Sequence, residues 1–333
     1  MVGDDLIVLV DLLKKKKGQT KEAHLILFEY CNLRCSFCHQ DHDSKVGLNS
    51  IQEKVSKLIE NTDQSDKYII NLTGGELFLD EFDDGMFEEY FQAGKRLLEH
   101  FEDAVLVLGT NLVYRRVERV VELIERLRVY GEVVLATSFD PAGRFSEDNK
   151  KLFFSNLDKV ATYVQTVNVV ITKQNIEYFL KGSGGEEFKA LCDNFNVYFD
   201  HYIPSQMYEY IQPDEDLISQ LYLFLNEHYP NSYPLKDWKQ NYFNETSCRS
   251  TKIVNKDNVV TTCWSEAGKD SIIDEVGGLA AKATAEANFM DKYNCIACEY
   301  YTRCGMRCFL HHSFIADGND ICQIKKMFDV ITK

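Results

Sequence analysis

The chain of 333 residues has no long apolar run, no basic segment at its start and no surplus of positive charge. Its first apolar stretch, Leu6 to Leu13, is too short to span a bilayer and is broken by Asp11, so neither an anchor nor an export signal is expected. The 37 basic residues are outnumbered by 52 acidic ones, giving a formal charge of −15. Such a field repels phosphate backbones and anionic headgroups, which argues against nucleic acid and membrane as partners. It favours a cationic partner such as a basic peptide, and it also serves plain solubility. No internal repeat or low-complexity tract is visible, and the Lys14 to Lys17 run reads as a solvated turn. The length allows one large domain or two ordinary ones.

Cysteine, by contrast, is abundant. There are 11, and in a protein expected to be cytoplasmic such clusters read as metal sites, because the cytosol keeps thiols reduced. The first group is Cys31-Asn32-Leu33-Arg34-Cys35-Ser36-Phe37-Cys38, three thiols within eight residues. A 4Fe-4S cube held by only three cysteines keeps one iron open to a ligand that is not protein. The alternative is a zinc knuckle, whose tetrahedron His39 or His42 would close.

From residue 23 to 203, short β-rich apolar runs alternate with stretches of helical period, the pattern of repeated βα units around a parallel sheet. Six strands are predicted: His24 to Phe28, Tyr68 to Leu72, Ala104 to Leu108, Val133 to Thr137, Val167 to Ile171, and Asn196 to Asp200. Helical patterns lie between them at 49–61, 84–100, 115–129, 147–163 and 175–194. Six units are too few to close an eight-stranded barrel, so the fold class expected is α/β, a partial (β/α)6 TIM-like barrel with its site at the C-terminal ends of the strands. Residues 1–22 form an N-terminal extension, 204–245 a connector with a helical pattern at Leu217 to His228, and 246–333 a small cysteine-rich domain. The Gly182-Ser183-Gly184-Gly185 run has no following Lys-Ser/Thr and reads as a surface turn.

The CxxxCxxC spacing, with Phe37 before the last cysteine, resembles the signature of the radical S-adenosylmethionine superfamily. The resemblance implies that Cys31, Cys35 and Cys38 hold a 4Fe-4S cluster, that S-adenosylmethionine chelates its open iron, and that Phe37 sits against the adenine. Further elements fall at the other strand ends. Thr73-Gly74-Gly75-Glu76 resembles the family's GGE motif, whose amides and carbonyls bind the amino group of S-adenosylmethionine. Thr110-Asn111 resembles its TNG element, with Leu112 in the glycine slot, and Ser138-Phe139-Asp140 its SxD segment. By this likeness Gly74, Gly75, Glu76, Thr110, Asn111, Ser138 and Asp140 contact the cofactor, although a Ser or Asp at a strand end also caps helices. His201 and Tyr202 end the sixth strand and are candidates to line the pocket or to be structural. Cys192 is a core cysteine or a hydrogen donor to a product radical.

The second cysteine group runs Cys248, Cys263, Cys295, Cys298, Cys304, Cys308, Cys322 and resembles the SPASM extension of these enzymes. The resemblance implies two auxiliary 4Fe-4S clusters, an outer one on Cys295, Cys298, Cys304 and Cys322 and an inner one on Cys248, Cys263 and Cys308. The further cysteine that completes the inner cluster in sulfatase-maturating members is missing between Arg249 and Thr262, and Asn258 replaces a family glycine. Asn tolerates the same left-handed conformation.

The function implied is hydrogen abstraction from a ribosomally made precursor peptide, with an external electron donor and a separate leader-recognition protein as partners. The alternatives are an anaerobic sulfatase-maturating type, a small-molecule radical dehydrogenase, or, outside radical chemistry, an iron-sulfur electron carrier or a zinc-binding module. The general base is not identified by any spacing, leaving Cys192, His201 and Asp140 as the catalytic candidates.

Overall fold

The computed structural model describes residues 20–38, 40–64, 67–182, 185–201, 211–239, 252–261, 284, 287–301, 304 and 322–332. Six parallel strands, β1 (Lys21–Ile26), β2 (Tyr68–Thr73), β3 (Ala104–Thr110), β4 (Glu132–Ser138), β5 (Val164–Ile171) and β6 (Asn196–His201), are joined by helices α1 (Ile51–Glu60), α2 (Asp84–His100), α3 (Val117–Arg128), α4 (Glu147–Val160), α5 (Lys173–Gly182) and α6 (Gly185–Asn194). This is the α/β architecture that the alternation predicts. Two boundaries differ from the expectation. The first strand starts earlier and ends at Ile26, and the single helix expected over 175–194 is two helices meeting at the glycine run, where Gly185 takes a φ of +76°.

Each strand presents two faces. On β2, Tyr68, Ile70 and Leu72 are buried against the helices, while Ile69, Asn71 and Thr73 are only partly covered and turn inward. The helices answer with apolar residues at helical spacing, such as Ile51, Val55 and Leu58 on α1 and Val117, Val120, Ile124 and Leu127 on α3. Asp83 and Ser146 cap α2 and α4 by accepting from the amides of Met86 and Asn149.

The sheet does not stop at six strands. Its order is β6-β5-β4-β3-β2-β1-β7-β8, where β7 (Lys252–Val254) runs parallel to β1 and returns antiparallel as β8 (Val260–Thr261). Asn255 Oδ1 accepts from the amides of Asp257 and Val259 in the hairpin turn, and Asn258 adopts a φ of +62°, the left-handed conformation expected of it. Lys57 of α1 donates to the Asn258 carbonyl at 2.8 Å. Lys256 lies 4.0 Å from Glu29, a buried carboxylate that also accepts from the Asp41 amide. Thus the hairpin is anchored both to α1 and to the segment leading into Cys31. Helix α7 (Glu215–His228), the short α8 (Leu235–Lys239) and α9 (Gln323–Ile331) extend the core, with Trp238 between Tyr222 and Phe328 at ring distances of 4.8 and 5.0 Å. At the far edge, the Phe199 amide donates to Tyr233 O and the Tyr233 amide to Val197 O. No helix among the described residues is long and apolar enough to cross a membrane.

Leu112, in the slot where the family element has glycine, takes a φ of +56° and is fully buried. A left-handed leucine costs roughly 1–2 kcal/mol, whereas removing a buried leucine side chain costs about 2–5 kcal/mol, so packing outweighs strain. Leu112→Gly is expected to lower stability by about 2 kcal/mol or more, read as a lower melting temperature. A variant that melts at or above the parent would show that strain dominates.

Candidate active site

The loop after β1 is shaped by backbone bonds before its thiols matter. Cys31 N donates to His42 O at 3.0 Å, Ser36 N to Gly143 O at 2.9 Å, and Cys38 N to Cys35 O at 3.1 Å. Gly143 has a φ of +92°, and a Cβ there would lie 2.1 Å from Ser36 Oγ, so a side chain at this position would push the cysteine loop away. The loop after β2 is bound just as closely. Gly75 N donates to Phe28 O and Glu76 N to Tyr30 O, at 2.9 and 3.0 Å, and a Cβ on Gly75 would meet Tyr30 O at 2.2 Å. The Gly74 carbonyl accepts from Gln40 Nε2 at 3.4 Å, and the second lone pair of such a carbonyl suits an ammonium group.

The loops enclose a cavity of about 350 Å3 at the C-terminal ends of the strands. Cys31, Cys35, Cys38, Phe37, Gly74, Gly75, Thr110, Asn111 and Ser138 all line it, so elements from four strand ends meet in one space. Asn111 is fixed by its amide, which donates to Glu76 at 2.6 Å, and its side chain reaches Asn32 at 2.9 Å and Cys31 Sγ at 3.8 Å.

Two acidic residues expected to contact the cofactor are used differently. Glu76 is buried, does not line the cavity, and accepts from Thr110 Oγ1, the Asn111 amide and the Phe78 amide. Its carboxyl is pushed up to about 7 by burial, against those three donors. Asp140 is fully buried and also absent from the cavity lining. Its oxygens accept from Val170 N at 2.7 Å and Asn175 Nδ2 at 3.0 Å, and it pairs with Arg144 Nε at 2.7 Å.

Arg144 is the residue that the sequence reading missed. It lines the cavity, with its guanidinium 5.4 Å from the centre of the Phe37 ring. Burial alone would lower its pKa, but Asp140, Cys35 and Cys38 outweigh this and raise it, so it stays charged. Asp140 and Arg144 lie four residues apart, a spacing easily read as an ordinary surface pair. The cavity also receives His24, Asn71, Asn168 and Asp200 from the strand interiors, none of which belongs to a recognisable motif.

The remaining candidates lie elsewhere. Cys192 sits on α6 and lines a separate hollow of about 90 Å3 with His228 and Tyr229, not the main cavity. Burial pushes its thiol up to about 12. His201 ends β6, and its side chain, like all of Tyr202 and His39, falls outside the described residues.

The donor set suits an iron-sulfur cluster. Burial pushes the Cys31 and Cys38 thiols up to about 12 and about 11 and raises Cys35 as well, so their thiolate forms call for a cation. Bound metal deprotonates coordinating thiols outright. No group of three or more His, Cys, Asp or Glu converges to hold a single metal ion among the described residues. A cube differs, since each thiolate takes its own iron. Of the second group, Cys295, Cys298, Cys304 and Cys322 are described; Cys295 opens a turn closed by Cys298 N to Cys295 O at 3.0 Å, and Cys322 precedes α9. Cys248, Cys263 and Cys308 lie outside the described residues.

No protein-family model and no curated protein matches the sequence. Solved structures do. anSMEcpe with bound AdoMet has a TM-score of 0.60 at 13% identity over 93% of this chain and 96% of that one. The same protein with AdoMet and the Cp18Cys peptide gives 0.58 at 13% identity, with the same coverage. SuiB of Streptococcus suis bound to its precursor peptide SuiA gives 0.51 at 14% identity over 97% of this chain and 79% of that one. At such identities the likeness shows the fold alone, which this chain shares with anSMEcpe and SuiB.

Proposed function

We propose that this chain is a radical S-adenosylmethionine enzyme that abstracts a hydrogen atom from a peptide. The observation that carries the reading is the single cavity into which Cys31, Cys35 and Cys38 project together with Gly74, Gly75, Asn111, Ser138 and the buried cation Arg144. When bound, a reduced 4Fe-4S cluster on the three cysteines supplies the electron that splits the sulfonium and releases a 5'-deoxyadenosyl radical.

The protein's own part is placement. Carbonyl oxygens of the Gly74-Gly75 turn accept from the ammonium group of S-adenosylmethionine. Arg144, held in place by Asp140, takes the carboxylate; a guanidinium is the side chain best matched to that group. Phe37, with only 6% of its surface exposed, packs against Ile211 and gives the adenine an apolar wall. Ser138 at the end of β4 offers a hydroxyl to the ribose or methionine portion.

The peptide as substrate is supported by the anSMEcpe and SuiB structures, which hold peptides in the same architecture. Auxiliary clusters on Cys295, Cys298, Cys304 and Cys322, and on Cys248, Cys263 and Cys308, would accept an electron from the product radical. An external donor to the first cluster and a separate leader-binding protein complete the set of partners.

Anaerobic reconstitution followed by dithionite reduction is expected to give 5'-deoxyadenosine from S-adenosylmethionine, with a Cys35→Ala variant at background. Parent protein that does no better than that variant would end the radical reading. Iron analysis is expected to give about twelve irons per chain, the content of three cubes, and about four would remove the auxiliary clusters. Arg144→Gln is expected to weaken S-adenosylmethionine binding by about tenfold or more, because a charge-assisted hydrogen bond contributes about 1.5–3 kcal/mol. Unchanged affinity by equilibrium dialysis would take the carboxylate away from Arg144.

A further inference from the structure

The cavity lining carries groups of opposite charge. Arg144, paired with Asp140, supplies the positive one beside the cysteine loop. Part of the wall is made by inward residues of β1, β2, β5 and β6: His24, Asn71, Asn168 and Asp200. Strand register sets His24 beside Asn71 and Asp200 beside Val170. None of the contacts assigned above to S-adenosylmethionine draws on this wall.

Asp200 is the unusual member. Among the described residues no backbone or side-chain group donates a hydrogen bond to it and no cation pairs with it. The charges that it feels, Glu22 of β1 and Asp140, are both negative, and burial together with these neighbours pushes its carboxyl up to about 7. His24, on the same wall, lies 3.5 Å from Glu22. A part-buried carboxylate with no donor or cation against it among the described residues is unfavourable until one reaches it. Its neighbours Asn71 and Asn168 offer amide groups that can orient a donor but carry no charge. The whole chain, at −15, draws cationic ligands toward this opening.

We propose that this wall is a side-chain subsite and that Asp200 pairs there with a cationic side chain, lysine or arginine, of the substrate peptide. The inference deepens the peptide-modifying reading and rests on it. It assigns to the end of β6 the choice of which residue of the peptide is drawn into the barrel, and it leaves the choice of bond to the chemistry beyond.

The test uses the anaerobically reconstituted protein saturated with S-adenosylmethionine, so that only space left beside the cofactor is read. Equilibrium dialysis compares Nα-acetyl-lysine N-methylamide with its neutral norleucine counterpart and with the glutamate counterpart. The lysine probe is expected to bind about tenfold more tightly than norleucine, with glutamate weakest. Asp200→Asn, which keeps the shape and removes the charge, is expected to erase that preference. Lysine binding should also strengthen between about pH 6 and pH 8 as Asp200 loses its proton. Because Glu22, His24, Asp140 and Arg144 also face this region, the pH profile must flatten in Asp200→Asn. Equal affinity for lysine and norleucine, a preference for glutamate, or a lysine preference that survives in Asp200→Asn overturns the proposal. Were Asp200→Asn to misfold by circular dichroism, the ranking of the three probes on the parent protein would still decide it. Parent protein that cleaves S-adenosylmethionine but ranks the probes equally fails the subsite alone. Protein that gives no 5'-deoxyadenosine fails the wider reading, whatever the probes do.

Discussion

Asp140 receives three partners with none of its own surface in water: the Val170 amide, the Asn175 side chain and the Arg144 guanidinium. A buried ion pair stabilises a protein only when the remaining hydrogen-bonding capacity on both ions is met. The two backbone and amide donors meet it on the carboxylate, and they belong to β5 and α5, whereas Asp140 follows β4. One carboxylate therefore locks two strand ends and a helix start together, and the cation it retains is delivered to the cavity at a fixed place. Glu76 does the same with no cation, joining the end of β2 to the end of β3 through Thr110 and Asn111. The rim of the barrel is thus a chain of buried carboxylates, each satisfied by its neighbour's backbone, and the ligand-facing groups hang from that frame.

The distribution of polarity follows from strand geometry. Residues alternate along β2 and β4, and toward their C-terminal ends the inward face carries small or polar side chains, Asn71 and Thr73 on β2 and Ala136 and Ser138 on β4. An ordinary closed barrel fills that interior with branched aliphatics. Here His24, Asn71, Asn168 and Asp200 occupy it instead, so the lumen is a place for a polar ligand and not a second core.

Much of this could be read from the residues alone, because the informative signals were local. The period-two runs located all six barrel strands, and the cysteine and glycine spacings named Cys31, Cys35, Phe37, Cys38, Gly74 and Gly75 of the cavity wall. What stayed hidden depended on contacts distant in sequence. The hairpin at 252–261 offers only a three-residue and a two-residue strand, and nothing in Lys252-Ile253-Val254 says that its partner is β1, more than two hundred residues earlier. Arg144 belongs to no motif, and only its pairing with the buried Asp140 and its place in the cavity lining single it out. At the end of β6, Asp200 belongs to no motif and lines the cavity, beside the candidates His201 and Tyr202, whose side chains fall outside the described residues. The helical period on both sides of the glycine run hid that one helix ends at Gly182 and another begins at Gly185.

The hairpin beside β1 and the Tyr233 segment beside β6 sit at opposite margins of the sheet. An open barrel otherwise presents two bare strand flanks, each a template on which another chain can build. Here β7 saturates one flank and turns back on itself through a left-handed Asn258, while the backbone at Tyr233 occupies donors and acceptors at the other. The sheet can therefore stay open at both margins without inviting its own copies to polymerise there.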